Sequence, residues 1–399
     1  MTIVLIDKKK EKKLKELLVF LNDNNKYYHN MFNNFGIKVS QEGSSVDEFD
    51  KLPIITKKDI NKNYSDYISQ NQTGLLQELT SGSTGTPLKC IKTEKERVIA
   101  SVALWKERKR WDVNVNIDNF IPIVGAKTYN EIGDFCDFEI ENMKNCFNNL
   151  QMLSPRWISG PISVLEEYAK LVEKGVLEYK NKSIKFIELA GEYADPKIRM
   201  YLEKIFSCKT TNQYGLRESW CIGYECNFGN IHVLEDIFVE LGPSFEVDKR
   251  SVNELIITSL YNKAMPFIKY NTHDLGKLTV KNCDCGKSSQ VIELHGGRTG
   301  DIIRGSREVL GDIFFKRVVN DVIESGHNCI ESFRVEQLSE DQFDFFVVRN
   351  NSYTEHVSTL LKEIIQSGLG KPVNVNIHYV DAIAPLPSGK MKTFYSHVN

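Results

Sequence analysis

The chain has 399 residues, 41% hydrophobic and 26% charged, enough to bury one large core and a smaller one. Its 51 Lys and Arg nearly balance 53 Asp and Glu, and the formal net charge of −2 argues against a general nucleic-acid binder. Nine cysteines and no apolar run near the ~20 residues that span a bilayer predict a cytoplasmic protein with reduced thiols, off the membrane. Ile3 to Ile6 is too short for a signal peptide, and the basic run Lys8-Lys9-Lys10-Glu11-Lys12-Lys13 that follows predicts the solvated face of a helix. Leu75-Leu76-Gln77-Glu78-Leu79 and Leu88-Lys89-Cys90-Ile91-Lys92 read as two short strands. Thr93 with Glu96 makes a capping box for a helix to Arg110, with Val98, Val102 and Trp105 at helical spacing. A buried strand, Lys185-Phe186-Ile187-Glu188-Leu189, runs into Ala190-Gly191-Glu192, and Pro196 opens a helix carrying Ile198, Tyr201, Leu202 and Ile205. Short strands follow from Gly229 to Leu294, among them Glu254 to Thr258 and Phe267 to Tyr270. After about residue 302 come helix Asp312 to Ser325, strands Ser332 to Gln337 and Gln342 to Val348, helix Thr354 to Ile365 and strand Val373 to Val380. The whole is mixed α/β. A large domain over 1–297 is followed by a hinge at 298–305 and a small mobile α+β domain over 306–399; the junction Gly296-Gly297-Arg298-Thr299-Gly300-Asp301 carries three glycines, which give a hinge its backbone freedom.

Between the first two strands lies Thr80-Ser81-Gly82-Ser83-Thr84-Gly85-Thr86-Pro87. A loop so rich in hydroxyls and glycines offers many N–H and O–H donors with few obstructing side chains, which is what surrounding a polyphosphate requires. A flexible linker has the same composition but seldom lies between apolar strands. The common nucleotide P-loop needs a second Gly, then Lys, then Ser or Thr; Pro87 and Cys90 break that pattern.

Read in order, the motifs resemble the adenylate-forming (acyl-CoA synthetase-like) superfamily, and within it the phenylacetate–CoA ligase family. The series begins at Leu52-Pro53-Ile54-Ile55-Thr56-Lys57-Lys58-Asp59-Ile60 and continues through the phosphate loop, Ala190-Gly191-Glu192, Gln213-Tyr214-Gly215-Leu216-Arg217-Glu218 and His232-Val233-Leu234-Glu235-Asp236. Farther on stand Ala264 to Asp274, Gly297-Arg298-Thr299-Gly300-Asp301 and Leu386-Pro387-Ser388-Gly389-Lys390. Taken singly, an Asp, Tyr or Lys in these places would be a turn, rim or solvated residue.

The resemblance implies that a carboxylate attacks the α-phosphate of ATP, giving an acyl-adenylate and pyrophosphate, before transfer to a thiol with release of AMP. Charge gathers on phosphoryl oxygens in that step and must be met by cations and N–H donors. By resemblance the loop, with Thr84 in a catalytic place, holds the β/γ-phosphates; Glu218 holds Mg2+, a hard cation suited to carboxylate oxygen. Tyr214 offers a face to adenine, Asp274 takes the ribose hydroxyls, and Arg298 the ribose or phosphate. Gly191, Glu192, Gln213, Gly215 and Asp236 complete the nucleotide site, and Lys390 reaches the α-phosphate and carboxylate when the small domain closes. Four positions depart from the pattern: Leu88 replaces the lysine after the loop proline, Arg217 a Thr or Ser, His273 a Gly, and Gly300 an Asp or Lys. Lys89 then reads as a surface strand lysine. Arg217 could neutralise phosphate or pair with Glu218.

Cys226, His232, Cys283 and Cys285, with Gly286 after the last, have the donor chemistry of a tetrahedral Cys3His zinc set, although the spacing is not a common one. Cysteines recur at similar places in the resembled family, which implies a structural Zn2+; the alternative is free thiols, the reading for Cys90, Cys136, Cys146, Cys208, Cys221 and Cys329. The acid pocket is expected along Phe120 to Tyr129 and Ala190 to Tyr214, with Trp105, Trp111 and Trp157 as candidate walls or as core. Expected partners are a small carboxylic acid and CoA or an acyl-carrier thiol, with no nucleic acid or membrane, and a second copy in a homodimer. An adenylyltransferase acting on a hydroxyl, an amine acceptor, and a non-catalytic nucleotide-binding protein remain alternatives.

Overall fold

A computed structural model describes residues 8–39, 49–80, 87–124, 132–247, 249–298, 302–306, 310–311, 313–384 and 392–398. Ser81, Gly82, Ser83, Thr84, Gly85 and Thr86 of the phosphate loop, residues 299–301 of the expected hinge, and Lys390 lie outside the described residues. The chain forms two compact units. The first comprises 1–242, 254–272 and 276–293; the second 243–253, 273–275 and 294–399.

In the first unit, β1 (Leu75–Leu79) and β2 (Lys89–Thr93) pair antiparallel as a two-stranded ribbon. β3 (Phe120–Pro122), β4 (Trp157–Gly160), β5 (Phe186–Ala190) and β6 (Lys209–Leu216) are parallel neighbours. The ten-stranded sheet continues antiparallel through β7 (Trp220–Glu225) and β8 (Ile231–Val233) to β12 (Ser288–Arg298), then β11 (Tyr270–Asn282), β10 (Arg250–Ser259) and β9 (Ile237–Val247). Alternation along β5 sends Ile187 and Leu189 to one face, where they join Ile158, Phe147, Leu165 and Leu202 in a core beneath three helices. Glu188 points to the other face and is fully buried.

The helix Glu94–Trp111 covers that second face. Its capping box forms as the sequence predicts: Glu96 N donates to Thr93 Oγ1 at 3.1 Å, and Thr93 N donates back to Glu96 at 2.7 Å. What it buries is different. Val98 and Val102 are exposed, whereas Arg108 is buried and reaches Glu188 through Nε and Nη2 at 2.7 and 2.8 Å. Tyr224 and Ser159 hydroxyls donate to the same carboxylate at 2.7 and 2.8 Å, so every lone-pair direction is used. The helix is fastened by a satisfied ion pair rather than by its apolar stripe; deleting either charge alone should cost about 3–5 kcal/mol.

Two other expectations change. The run Lys8 to Lys13 begins the helix Lys8–Asn24, but it is not simply solvated: Lys9 pairs with Glu235, Lys10 donates to the Ile237 carbonyl at 2.7 Å, and Lys13 pairs with Asp236. Phe267 to Lys269 is not strand. β11 begins only at Tyr270, because Lys269 has φ +49, a left-handed turn that breaks the ladder.

In the second unit β13 (Ile330–Ser339), β14 (Gln342–Arg349), β15 (Asn374–Tyr379) and β16 (Phe394–Ser396) form a sheet in the order β15-β14-β13-β16. Helices Ile313–Glu324 and Glu355–Leu369 pack on one face, closing a core around Phe315, Val335, Phe343, Phe345, Leu361 and Ile365. β16 is too short to announce itself in sequence. A smaller cluster joins Val247, Val252 and Leu275 to Ile302.

Candidate active site and metal set

The neck of the phosphate loop is closed by Thr80: its N–H donates to the Leu88 carbonyl at 2.9 Å, and its hydroxyl accepts from Leu88 N at 2.8 Å. Leu88 is fully buried, which explains an apolar residue after the loop proline; Lys89 is exposed, as expected.

Two other motifs meet at the C-terminal ends of the parallel strands, where ligands bind in sheets of this kind. Ala190 at the end of β5 is in register with Gln213 near the end of β6, so Gly191 and Glu192 emerge beside Tyr214 and Gly215. Tyr214 is buried. Gly215 has no room for a side chain, since a Cβ there would lie 1.9 Å from the Trp220 carbonyl oxygen. That close approach shapes the β6–β7 turn. Glu192 is engaged elsewhere: its carboxylate accepts from Ser163 N and Oγ, both at 2.9 Å, at the start of helix Ile162–Glu173, where the helix dipole favours a negative charge.

Glu218 lies in that turn, 6% exposed, and accepts from the Tyr270 hydroxyl at 2.9 Å. The structure shows no ion pair between Glu218 and Arg217. Arg217 is exposed, and its carbonyl accepts from the buried Lys92 ammonium. Lys92, which the sequence reading did not single out, also meets Glu78 at 3.2 Å. Burial lowers the Lys92 pKa from the usual lysine value, and Glu78 partly restores it.

The remaining nucleotide candidates are placed as pairs. Asp274 and Arg298 form an ion pair with Arg298 Nε 2.6 Å from Oδ1, so the two expected ribose contacts bind each other. His273 has φ +59, the conformation a glycine adopts freely and the one this histidine takes instead. Asp236 is held by Lys13. Of the candidate aromatic walls, Trp157 is fully buried and bonded to Asp112 at 3.1 Å, and Trp111 donates to the Glu225 carbonyl at 2.7 Å; both are framework. Trp105 packs edge-on against Phe120.

The sulfur and imidazole set comes together. One ligand atom from each of Cys226, His232, Cys283 and Cys285 lies within 4.8 Å of every other. Cys226 and Cys283 sulfurs are 3.8 Å apart, and Cys285 Sγ is 3.3 Å from His232 Nε2. Two thiolates bound at ~2.3 Å to one tetrahedral zinc are separated by ~3.8 Å, so the donors fit that ion. Cys226 and the Cys283/Cys285 pair each sit on a turn closed by a left-handed glycine: Gly229 N–H returns to the Cys226 carbonyl and Gly286 N–H to the Cys283 carbonyl, with φ of +74 and +85. His232 Nδ1 is 2.8 Å from the Ser289 hydroxyl, leaving Nε2 for a metal. Burial, then the Lys287 charge, lowers the imidazole to about 4, so it is neutral at physiological pH, as a ligand must be. The Cys285 backbone N–H holds the Cys283 thiol below its ordinary value.

This architecture is the fold of the adenylate-forming ligases, and the fold and the sequence relatives bear out the resemblance read from the motifs. By sequence, Protein CapK of Staphylococcus aureus is 25% identical over 410 residues, covering 95% of this chain and 87% of that protein. Phenylacetate-coenzyme A ligase of Thermus thermophilus is 31% identical over 166 residues, 39% of this chain and 37% of that enzyme. Among solved structures, 2-hydroxyisobutyryl-CoA ligase in the postadenylation state, in complex with 2-HIB-AMP, matches with a TM-score of 0.74 and 16% identity, covering 96% of this chain and 88% of that one. No family profile matches the chain. Among the described residues no helix is long and apolar enough to cross a membrane.

Proposed function

We propose that the chain is a Mg·ATP-dependent acid–thiol ligase acting in two half-reactions. A carboxylate oxygen bonds to the α-phosphorus of ATP as the bond to pyrophosphate breaks; a thiol sulfur then bonds to the acyl carbon as AMP leaves, and the thiol proton passes to solvent. The observation that carries this reading is the buried Glu218 carboxylate beside the strand that leaves the phosphate loop, at the carboxyl ends of β5 and β6. Thr80, the loop residues to Thr86, Gly191, Gln213, Tyr214 and Gly215 would line the nucleotide site; Asp274 and Arg298, paired within the second unit, are the residues the resemblance assigns to the ribose. CoA is the default thiol, supported by the CoA ligases among the relatives; the sulfur set would hold a structural zinc and the protein would be cytoplasmic.

Exchange of labelled pyrophosphate into ATP, run over a panel of aryl and short aliphatic acids, tests the first half-reaction and names the acid. Strong exchange with one acid and thioester formation with CoA are expected. AMP left on a hydroxyl acceptor, with no acid-dependent exchange, would transfer the chain to the adenylyltransferase reading.

Zinc gives an independent check. Purified protein should carry about one zinc per chain, and Cys283→Ser should lower both metal content and melting temperature. Metal-free protein of unchanged stability removes the ion from the structure.

A further inference from the structure

Both carbonyls flanking Glu218 are taken. The Tyr261 hydroxyl donates to the Ser219 carbonyl at 2.7 Å, and Lys92 Nζ donates to the Arg217 carbonyl. The Lys92 side chain is 3% exposed and projects from β2, the strand leaving the phosphate loop. Its ammonium also meets Glu78 on β1, the strand entering the loop, and lies 4.8 Å from the centre of the Trp220 ring. Trp220 Nε1 donates to the same Glu78 oxygen at 2.9 Å. One buried cation thus joins the strand into the loop, the strand out of it and the turn that bears Glu218. Packing alone does not call for a charge here, because a leucine or methionine would fill the space without the cost of burying an ammonium.

We propose that Lys92 is a positioning residue for the metal carboxylate, fixing Glu218 against the exit strand so that loop-held phosphates and a Glu218-held cation meet in one geometry. The inference rests on the reading of Glu218 as a metal ligand. Lys92 acts through the Arg217 carbonyl, and Glu78 neutralises its charge locally.

ATP is titrated calorimetrically into wild type, Lys92→Met and Lys92→Arg, with and without Mn2+, so no acid substrate is needed. Mn2+ should tighten ATP binding to wild type, and Lys92→Met should lose about 10-fold of that gain, while Lys92→Arg keeps most of it. Metal-free ATP affinity should change by less than about 2-fold, a split that a merely structural role would not produce. If Lys92→Met does not fold, Lys92→Gln, whose amide is too short to reach the Arg217 carbonyl, carries the same test. Retention of the full Mn2+ gain in the folded variant, or equal losses with and without metal, overturns the proposal. Wild type that shows no Mn2+ gain overturns both Glu218 and Lys92 as assigned. A normal gain with no acid-dependent exchange sinks the acid–thiol reading and leaves Lys92 standing.

Discussion

Glu218→Gln should lower adenylation at least ~10²-fold, the scale of losing one preorganised electrostatic contact at a phosphoryl transition state. The substitution keeps volume and keeps an oxygen that can accept from Tyr270, so the bond at 2.9 Å and the fold should survive. What disappears is the negative charge a divalent cation needs. Part of the loss should be recovered at high magnesium, since the remaining amide oxygen is a weaker ligand rather than none. Pyrophosphate exchange measured across a magnesium series, alongside circular dichroism, checks this. Kinetics equal to wild type at low magnesium would remove Glu218 from the metal site.

Lys390→Ala should nearly abolish both pyrophosphate exchange and overall ligation, by ~10²-fold or more. The same variant, supplied with pre-made acyl-adenylate and thiol, should form thioester at close to the normal rate. The asymmetry follows from the chemistry. Charge builds on the α-phosphate oxygens during attack by the carboxylate, whereas in the second half-reaction the new bond forms at the acyl carbon. Lys390 is assigned from Leu386-Pro387-Ser388-Gly389-Lys390 alone, so separating the half-reactions is the decisive measurement. Equal damage to both would make it a structural lysine.

The sequence disclosed local matters well. The capping box at Thr93 and Glu96, the strand into Ala190 and the antiparallel ribbon around the loop each depend on neighbours within a few residues, and each is present. The Cys3His set was legible because its residue types are chemically distinctive even at irregular spacing. Long-range polar contacts were not. Lys92 finds the Arg217 carbonyl 125 residues away, and Lys13 finds Asp236 across 223; no periodicity encodes either. Helical spacing showed that Val98 and Val102 share a face, but not that the opposite face is the covered one, because Arg108 and Glu188 look like surface residues until they are seen together. Likewise a left-handed lysine at 269 and a left-handed histidine at 273 carry no mark that a glycine would have carried.

The smaller apolar cluster bears on how the chain can be cut. Val247, Val252 and Leu275 come from the middle of the sequence, yet they pack with Ile302 in the second unit. A truncation after residue 293 would leave those three side chains without that partner and uncover apolar surface on what was meant to be a free-standing catalytic fragment. A fragment starting at 294 would in turn lack three of its own core residues. Any attempt to express the two parts separately should therefore give sticky, poorly soluble halves, and co-expression should rescue them, because the boundary between the units is drawn through space and not at one peptide bond.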